Sequence, residues 1–186
     1  LSAFIIDQAC QLLGCWLTLY ACISPIYLES GLAVVRPRVV TPCIGVCSTA
    51  LGDEVCRGCK RYSHEVIDWN SYSDGQKQII DERLDGFLVQ VMENKLHIND
   101  AKLLEWQLQT QRIRYPAHKS PYIWLFQLLR AGAGQISDCG QFGFSVDAEY
   151  RDEPLMVLRD MIDREHYLLS EAYYQRYIGR YLHREL

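Results

Sequence analysis

Four cysteines fall within seventeen residues: Cys43, Cys47, Cys56 and Cys59. The first pair is spaced C-x3-C and the second C-x2-C. A short pair lets two sulfurs from one tight turn reach a single centre, and two such turns complete a tetrahedral thiolate site. Gly45 lies inside the first pair and Gly58 just before the last cysteine. Glycine accepts the positive φ angles that a chain needs to curl round a metal with its amides facing sulfur. The pattern therefore points to a four-cysteine knuckle binding a metal ion or a metal cluster. Two readings compete with it. Paired disulfides suit small secreted domains, but the other cysteines, Cys10, Cys15, Cys22 and Cys139, are scattered and form no framework. Free buried thiols seldom come as two short pairs with a glycine in each turn.

The ligand set leaves the metal open. Four thiolates suit zinc, an iron–sulfur cluster or a lone iron. The spacing follows neither the bacterial nor the plant-type ferredoxin run. Zinc would make the segment a structural knuckle that folds only when loaded, and a cluster would make it a redox or sensing element.

The residues Thr41-Pro42-Cys43-Ile44-Gly45-Val46-Cys47, then Cys56-Arg57-Gly58-Cys59-Lys60-Arg61, then Glu65 and Trp69 carry a family resemblance. The run resembles domain of unknown function 1289, the YdhL-like group of small bacterial proteins, over about residues 36–86. The resemblance implies an iron–sulfur protein of unknown activity with Cys43, Cys47, Cys56 and Cys59 as cofactor ligands. One residue departs from the family pattern. Tyr62 stands where a threonine is expected to cap the next helix, which puts the start of that helix in question.

With 186 residues and 49% hydrophobic content, the chain is long enough for one packed domain with a small metal-bound annex. The net charge of −4 offers no global basic field for nucleic acid. Residues 1–35 are apolar, and from Gln8 to Leu28 carry no charge. Three readings apply to them: sequence upstream of a start at Val35, a membrane anchor, or a buried core helix. As an anchor, the segment would have Arg36 and Arg38 on its downstream side and would leave a cytoplasmic body. Otherwise the whole protein is expected in the cytoplasm. Residues 36–72 form the cysteine segment and residues 73–186 a helical domain, so the fold class is mainly α.

Within the helical part, Ser63 is expected to cap a short helix through Trp69, with Val66, Ile67 and Trp69 buried. Ser73-Asp74-Gly75-Gln76 is a capping box opening a helix to about Asn94, with Ile80, Leu84, Phe87 and Val91 on its buried face. Asn99 caps a third helix carrying Ala101, Leu104 and Leu108. Ser120-Pro121 opens a fourth, ended by Gly132 and Gly134. The glycine-rich stretch from Gly132 to Gly143 lacks the P-loop lysine and reads as a connection rather than a phosphate cradle. Phe142 to Val146 reads as a strand or an apolar plug, and Cys139 as a lone core thiol. Asp152-Glu153-Pro154 starts a final helix with Leu155, Leu158, Ile162, Leu169 and Tyr173 on its apolar side. Tyr173, Tyr177 and Tyr181 continue at helical spacing and read as rings packed inward.

Acid–base chemistry has little support. His64, His97, His118, His166 and His183 stand apart, outside any H-E-x-x-H pattern, which leans against an enzyme. His64 follows the cysteine segment closely enough to stand in for a cysteine ligand. Arg57, Lys60 and Arg61 beside the second turn read as a basic fringe facing an acidic carrier. The expected protein is thus an iron–sulfur electron-transfer or redox-sensing protein with a protein partner. The alternative is a zinc-stabilised interaction module that docks a partner without redox activity.

Overall fold

The computed structural model describes residues 39–179. The expectations for residues 1–35, and the one for Tyr181, lie outside them. Five α-helices and one two-stranded sheet follow the cysteine turns: α1 (Ser63–Ile67), α2 (Asp74–Glu93), β1 (Leu96–Ile98), α3 (Ala101–Thr110), α4 (Pro121–Gly132), β2 (Phe144–Val146) and α5 (Leu155–Tyr174). The fold is mainly α. Among the described residues no helix is long and apolar enough to cross a membrane.

Local signals set most helix starts. At α2 the Ser73 hydroxyl accepts from the Gln76 N–H at 3.3 Å, while the Gln76 side chain accepts from the Ser73 N–H at 2.9 Å. This reciprocal box satisfies two of the donors that a helix start leaves free. The helix ends at Glu93 with Asn94 as its cap, and buries Ile80, Leu84, Leu88, Val91 and Met92. Leu88 thus takes the place expected for Phe87, which is only half-buried. At α3 the cap is Asp100, not Asn99: its Oδ1 accepts from the N–H groups of Lys102 and Leu103 at 2.9 and 3.0 Å. Asn99 is held by the sheet edge, because its N–H and that of Asp100 both donate to the Gly143 carbonyl at 2.9 Å. At α4 the Ser120 hydroxyl accepts from the Tyr122 N–H and Pro121 fills the first turn, where its missing N–H costs nothing.

β1 and β2 pair antiparallel, with Leu96 opposite Val146 and Ile98 opposite Phe144. The glycine-rich connection before β2 holds short 3-10 turns. Gly143 has φ +74°, and a Cβ there would lie 2.3 Å from the Asp100 carbonyl oxygen. Its glycine serves close backbone approach, in keeping with the connection reading.

One core joins α2, α3, α4, α5 and the sheet. Leu96, Leu104, Leu108, Leu125, Leu129, Phe144, Leu158 and Ile162 are fully buried in it. Cys139 packs against this core, as expected for a lone thiol. On α5 the buried side runs through Leu158, Ile162, His166, Ser170 and Tyr174. Tyr173 and Tyr177 face outward instead, 40% and 48% exposed, with ring centroids 4.5 Å apart. The inward packing expected of this stripe is corrected: the residue one place on, Tyr174, takes the buried position. After Tyr174 the helix widens into a π-turn, Gln175–Gly179.

Candidate metal centre

The cysteine segment is built from two turns held against each other by backbone contacts. In the first, Gly45 has φ +88° and its N–H faces the Cys43 sulfur at 3.5 Å. The chain then passes Cys47 into a 3-10 turn, Ser48–Leu51, closed by Gly52 at φ +97°. In the second, the Cys56 N–H donates to the Arg61 carbonyl at 2.8 Å, and the Lys60 N–H donates back to the Cys56 carbonyl at 2.7 Å. Val55 and Tyr62 form a single antiparallel bridge at its base. This is a tight loop that presents Cys56 and Cys59 on one side, the arrangement a C-x2-C knuckle requires.

Gly58 joins the turns. A Cβ at this position would lie 2.8 Å from the Val46 carbonyl oxygen and 3.0 Å from the Ile44 side chain. The Arg57 N–H also donates to the Ser48 hydroxyl at 2.8 Å, and the Cys56 thiol points at the Val46 carbonyl at 3.8 Å. Glycine at position 58 is therefore a condition for the two loops to touch.

All four cysteines are free thiols, Cys56 and Cys59 buried, Cys47 half-buried and Cys43 exposed. Burial pushes the Cys56 thiol up, but the backbone N–H groups of Cys59, Ser48 and Gly58, together with the Cys59 side chain, outweigh it and bring it down to about 7. Cys59 moves the other way, raised by burial although Arg61 opposes the shift. A thiol at about 7 is half thiolate at neutral pH, the form that binds metal. Among the described residues no group of three or more His, Cys, Asp or Glu side chains stands at metal-ligand geometry. The structure brings Cys56 and Cys59 together and sets the Cys43–Cys47 turn alongside. Its donor set fits a thiolate-bound metal in chemistry and in N–H···S orientation.

The surrounding side chains show why the segment sits where it does. Arg61 donates from Nε to the Cys59 sulfur at 3.4 Å, and its guanidinium lies 4.6 Å over the Trp69 ring. Lys60, in a left-handed conformation, sends Nζ to Asp163 of α5 at 2.5 Å. Lys60 and Arg61 are both buried, 2% and 3% exposed. The expected basic fringe is thereby corrected: only Arg57 is exposed, and it pairs with Asp53 at 2.8 Å. Glu65 accepts from the Tyr62 N–H at 2.9 Å and from Arg83 of α2 at 2.6 Å. Trp69 lies past the end of α1, buried with Ile80 and Leu84, while Ile67 is 78% exposed. So α1 stops at Ile67, short of its expected end at Trp69.

Tyr62 is the N-cap of α1, and Ser63 is its first helical residue rather than its cap. The Tyr62 hydroxyl makes no capping bond. Its ring is instead buried between Tyr174, with centroids 5.1 Å apart, and the Arg83 guanidinium, 3.8 Å above its face. Glu65 alone supplies the capping interaction. A threonine could not reach α5; tyrosine here plugs the cysteine segment into the helical body. His64 does not join the thiols, since its ring lies against Tyr62 at 5.8 Å.

The cysteine-turn segment is thus fixed to the helical body by a buried polar layer of Lys60, Arg61, Glu65 and Arg83. Residues 41–87, from the first turn through most of α2, match the family model described as Protein of unknown function (DUF1289). No curated protein and no solved structure matches the chain.

Proposed function

We propose that Cys43, Cys47, Cys56 and Cys59 hold an iron–sulfur cluster, and that the protein transfers electrons or senses redox state with a protein partner. The observation that carries this reading is the contact of two glycine-bearing cysteine turns whose amides face sulfur. When bound, the cluster would supply one-electron chemistry. The protein's part is in its own groups. Gly45 N–H orients the Cys43 sulfur, and the Ser48, Gly58 and Cys59 amides favour the Cys56 thiolate. Arg61, buried against Trp69, places positive charge beside Cys59 and offsets the charge of bound thiolates. Hydrogen bonds and charge at sulfur are among the levers that set a cluster's potential.

A second reading has its own support. Ile44, Val46 and Leu51, all on the cysteine turns, are 49%, 70% and 89% exposed. Apolar residues presented on a rigid metal knuckle suit a zinc-stabilised docking module.

Anaerobic reconstitution with iron and sulfide separates the two. The proposal expects a brown protein with visible thiolate-to-iron absorption that bleaches on reduction and is lost in Cys56→Ser. A colourless protein with one stoichiometric zinc and no reducible centre overturns the cluster and leaves the docking module.

A further inference from the structure

The polar layer beneath the cysteine turns holds the cations Lys60, Arg61 and Arg83, and two of them have a carboxylate. Lys60 pairs with Asp163 at 2.5 Å and Arg83 with Glu65 at 2.6 Å. Arg61 has no carboxylate partner among the described residues, although it is only 3% exposed. Its Nε donates to the Cys59 sulfur at 3.4 Å and its guanidinium lies 4.6 Å over the Trp69 ring. Its Nη1 is buried without a hydrogen-bond partner. Arginine cannot shed its proton to escape burial. A ring face returns only part of what it costs to take a guanidinium out of water. Buried charges are otherwise paired, and the protein's own carboxylates leave this one short of a counter-charge.

The group that Arg61 faces is sulfur. Four thiolates around a divalent ion, or around an oxidised iron–sulfur core, carry a net charge of about −2. Two of the four ligands are as deeply placed as Arg61 itself, with Cys56 1% and Cys59 8% exposed. A buried anionic centre and a buried unpaired cation are each costly alone and compensate each other side by side. Lys60 and Arg83 have a different task, because their carboxylates already satisfy them and they tie the segment to α5 and α2.

We propose that Arg61 is the counter-ion of the thiolate centre, strengthening metal binding while destabilising the segment in its metal-free form. The proposal rests on the four-cysteine reading above, but not on which metal the thiolates hold. Its signature is a reversal of sign. An arginine that served only packing would stabilise the segment with or without metal. A counter-ion stabilises the loaded form and penalises the other.

The test compares Arg61→Met, which keeps the apolar stem and removes the charge, with Arg61→Lys, which keeps the charge. The Cys56 N–H donates to the Arg61 carbonyl at 2.8 Å, so its hydrogen exchange reports opening of the second turn. In the reduced, metal-free, full-length protein, Arg61→Met should slow that exchange about tenfold, because an apolar side chain replaces an uncompensated buried charge. Titration with Co²⁺ against a chelator should move the other way. Arg61→Met should bind about tenfold more weakly, the scale of a lost partner to a metal ligand, and Arg61→Lys should stay within about threefold of wild type. In protein reconstituted with iron and sulfide, Arg61→Met should disfavour reduction about tenfold, since the added electron arrives beside the lost cation. Faster Cys56 exchange in metal-free Arg61→Met makes Arg61 a packing residue and overturns the proposal. So does metal affinity that Arg61→Met leaves unchanged, or that Arg61→Lys lowers just as far. Those results leave the four-cysteine reading standing, whereas a wild-type protein that takes up neither Co²⁺ nor iron brings down both.

Discussion

The helical body and the cysteine segment are stabilised by opposite means. The body packs Leu, Ile and Phe side chains from four helices and a sheet into a dry core, with helix starts fixed by Ser73, Asp100 and Ser120. The cysteine segment buries only Val55, Cys56, Cys59 and Tyr62 as apolar groups between residues 39 and 62. It relies on backbone contacts between turns, on Lys60 reaching Asp163 of α5, and on Arg83 of α2 lying over the Tyr62 ring. A core of the first kind survives the loss of any one polar contact, because burial is spread over many side chains. A segment of the second kind has too little apolar area to fold alone and gains its stability from docking, to which the proposed metal would add. The two parts should therefore fail separately.

The largest expected difference comes from the thiolates. Cys56→Ser should abolish metal binding and expose the cysteine segment to proteolysis, since folding of such a site is coupled to about 10 kcal/mol or more of metal binding. The far-UV circular dichroism of α2 to α5 should persist. Helices that melt together with the metal would break the comparison and make the core dependent on the knuckle.

The converse experiment is Leu158→Ala, at a side chain that is fully buried at the centre of the core. Truncation there should cost about 3 kcal/mol in urea unfolding, the sum of lost burial and a residual cavity. Metal stoichiometry in the remaining folded protein should not change.

Acid tests the seam between the parts. Burial, and then the nearby Lys60 and Arg83 charges, push His166 from its ordinary 6.5 down to about 3. Its Nε2 is buried without a partner. The unfolded chain takes up a proton below pH 6.5 while the folded chain does not until about pH 3, so stability falls as pH drops across that window. By about pH 4.5 the loss should be about 3 kcal/mol, and His166→Asn should abolish the pH dependence between about 6.5 and 4.5. A wild-type stability that stays flat over that range would place His166 outside the seam.

The smallest effect lies wholly within the body. Asp100→Ala should destabilise by about 1 kcal/mol, the usual worth of an N-cap, and Asn99→Ala by less. The opposite order would return the cap to Asn99.

Much of the body was legible in the sequence because its signals are local. The Ser73–Gln76 box, the Ser120-Pro121 start and the Leu158–Ile162 spacing of α5 each act within a few residues, and there pattern and structure agree. Asn99 and Asp100 are both good caps, and only the pairing of β1 with β2 decides between them. The cysteine spacing likewise announced two turns, and Gly45 takes the positive φ expected of it; Gly58 does not, the left-handed residue of its turn being Lys60, and serves close approach to Val46 instead. Sequence reasoning missed Lys60 and Arg61 as buried groups, because neighbours in sequence gave no sign that Asp163 and Trp69 would receive them.

What the sequence by itself determined is the pairing of the four thiols in two turns, the helical class and the starts of α2 and α4, all of which depend on neighbours within about one turn. Tertiary structure alone decided which charges are buried and what receives the Tyr62 ring. That ring is caught between Arg83 and Tyr174, on helices that begin well downstream of it. Burial of a side chain is a property of what arrives opposite it, and no local rule encodes that.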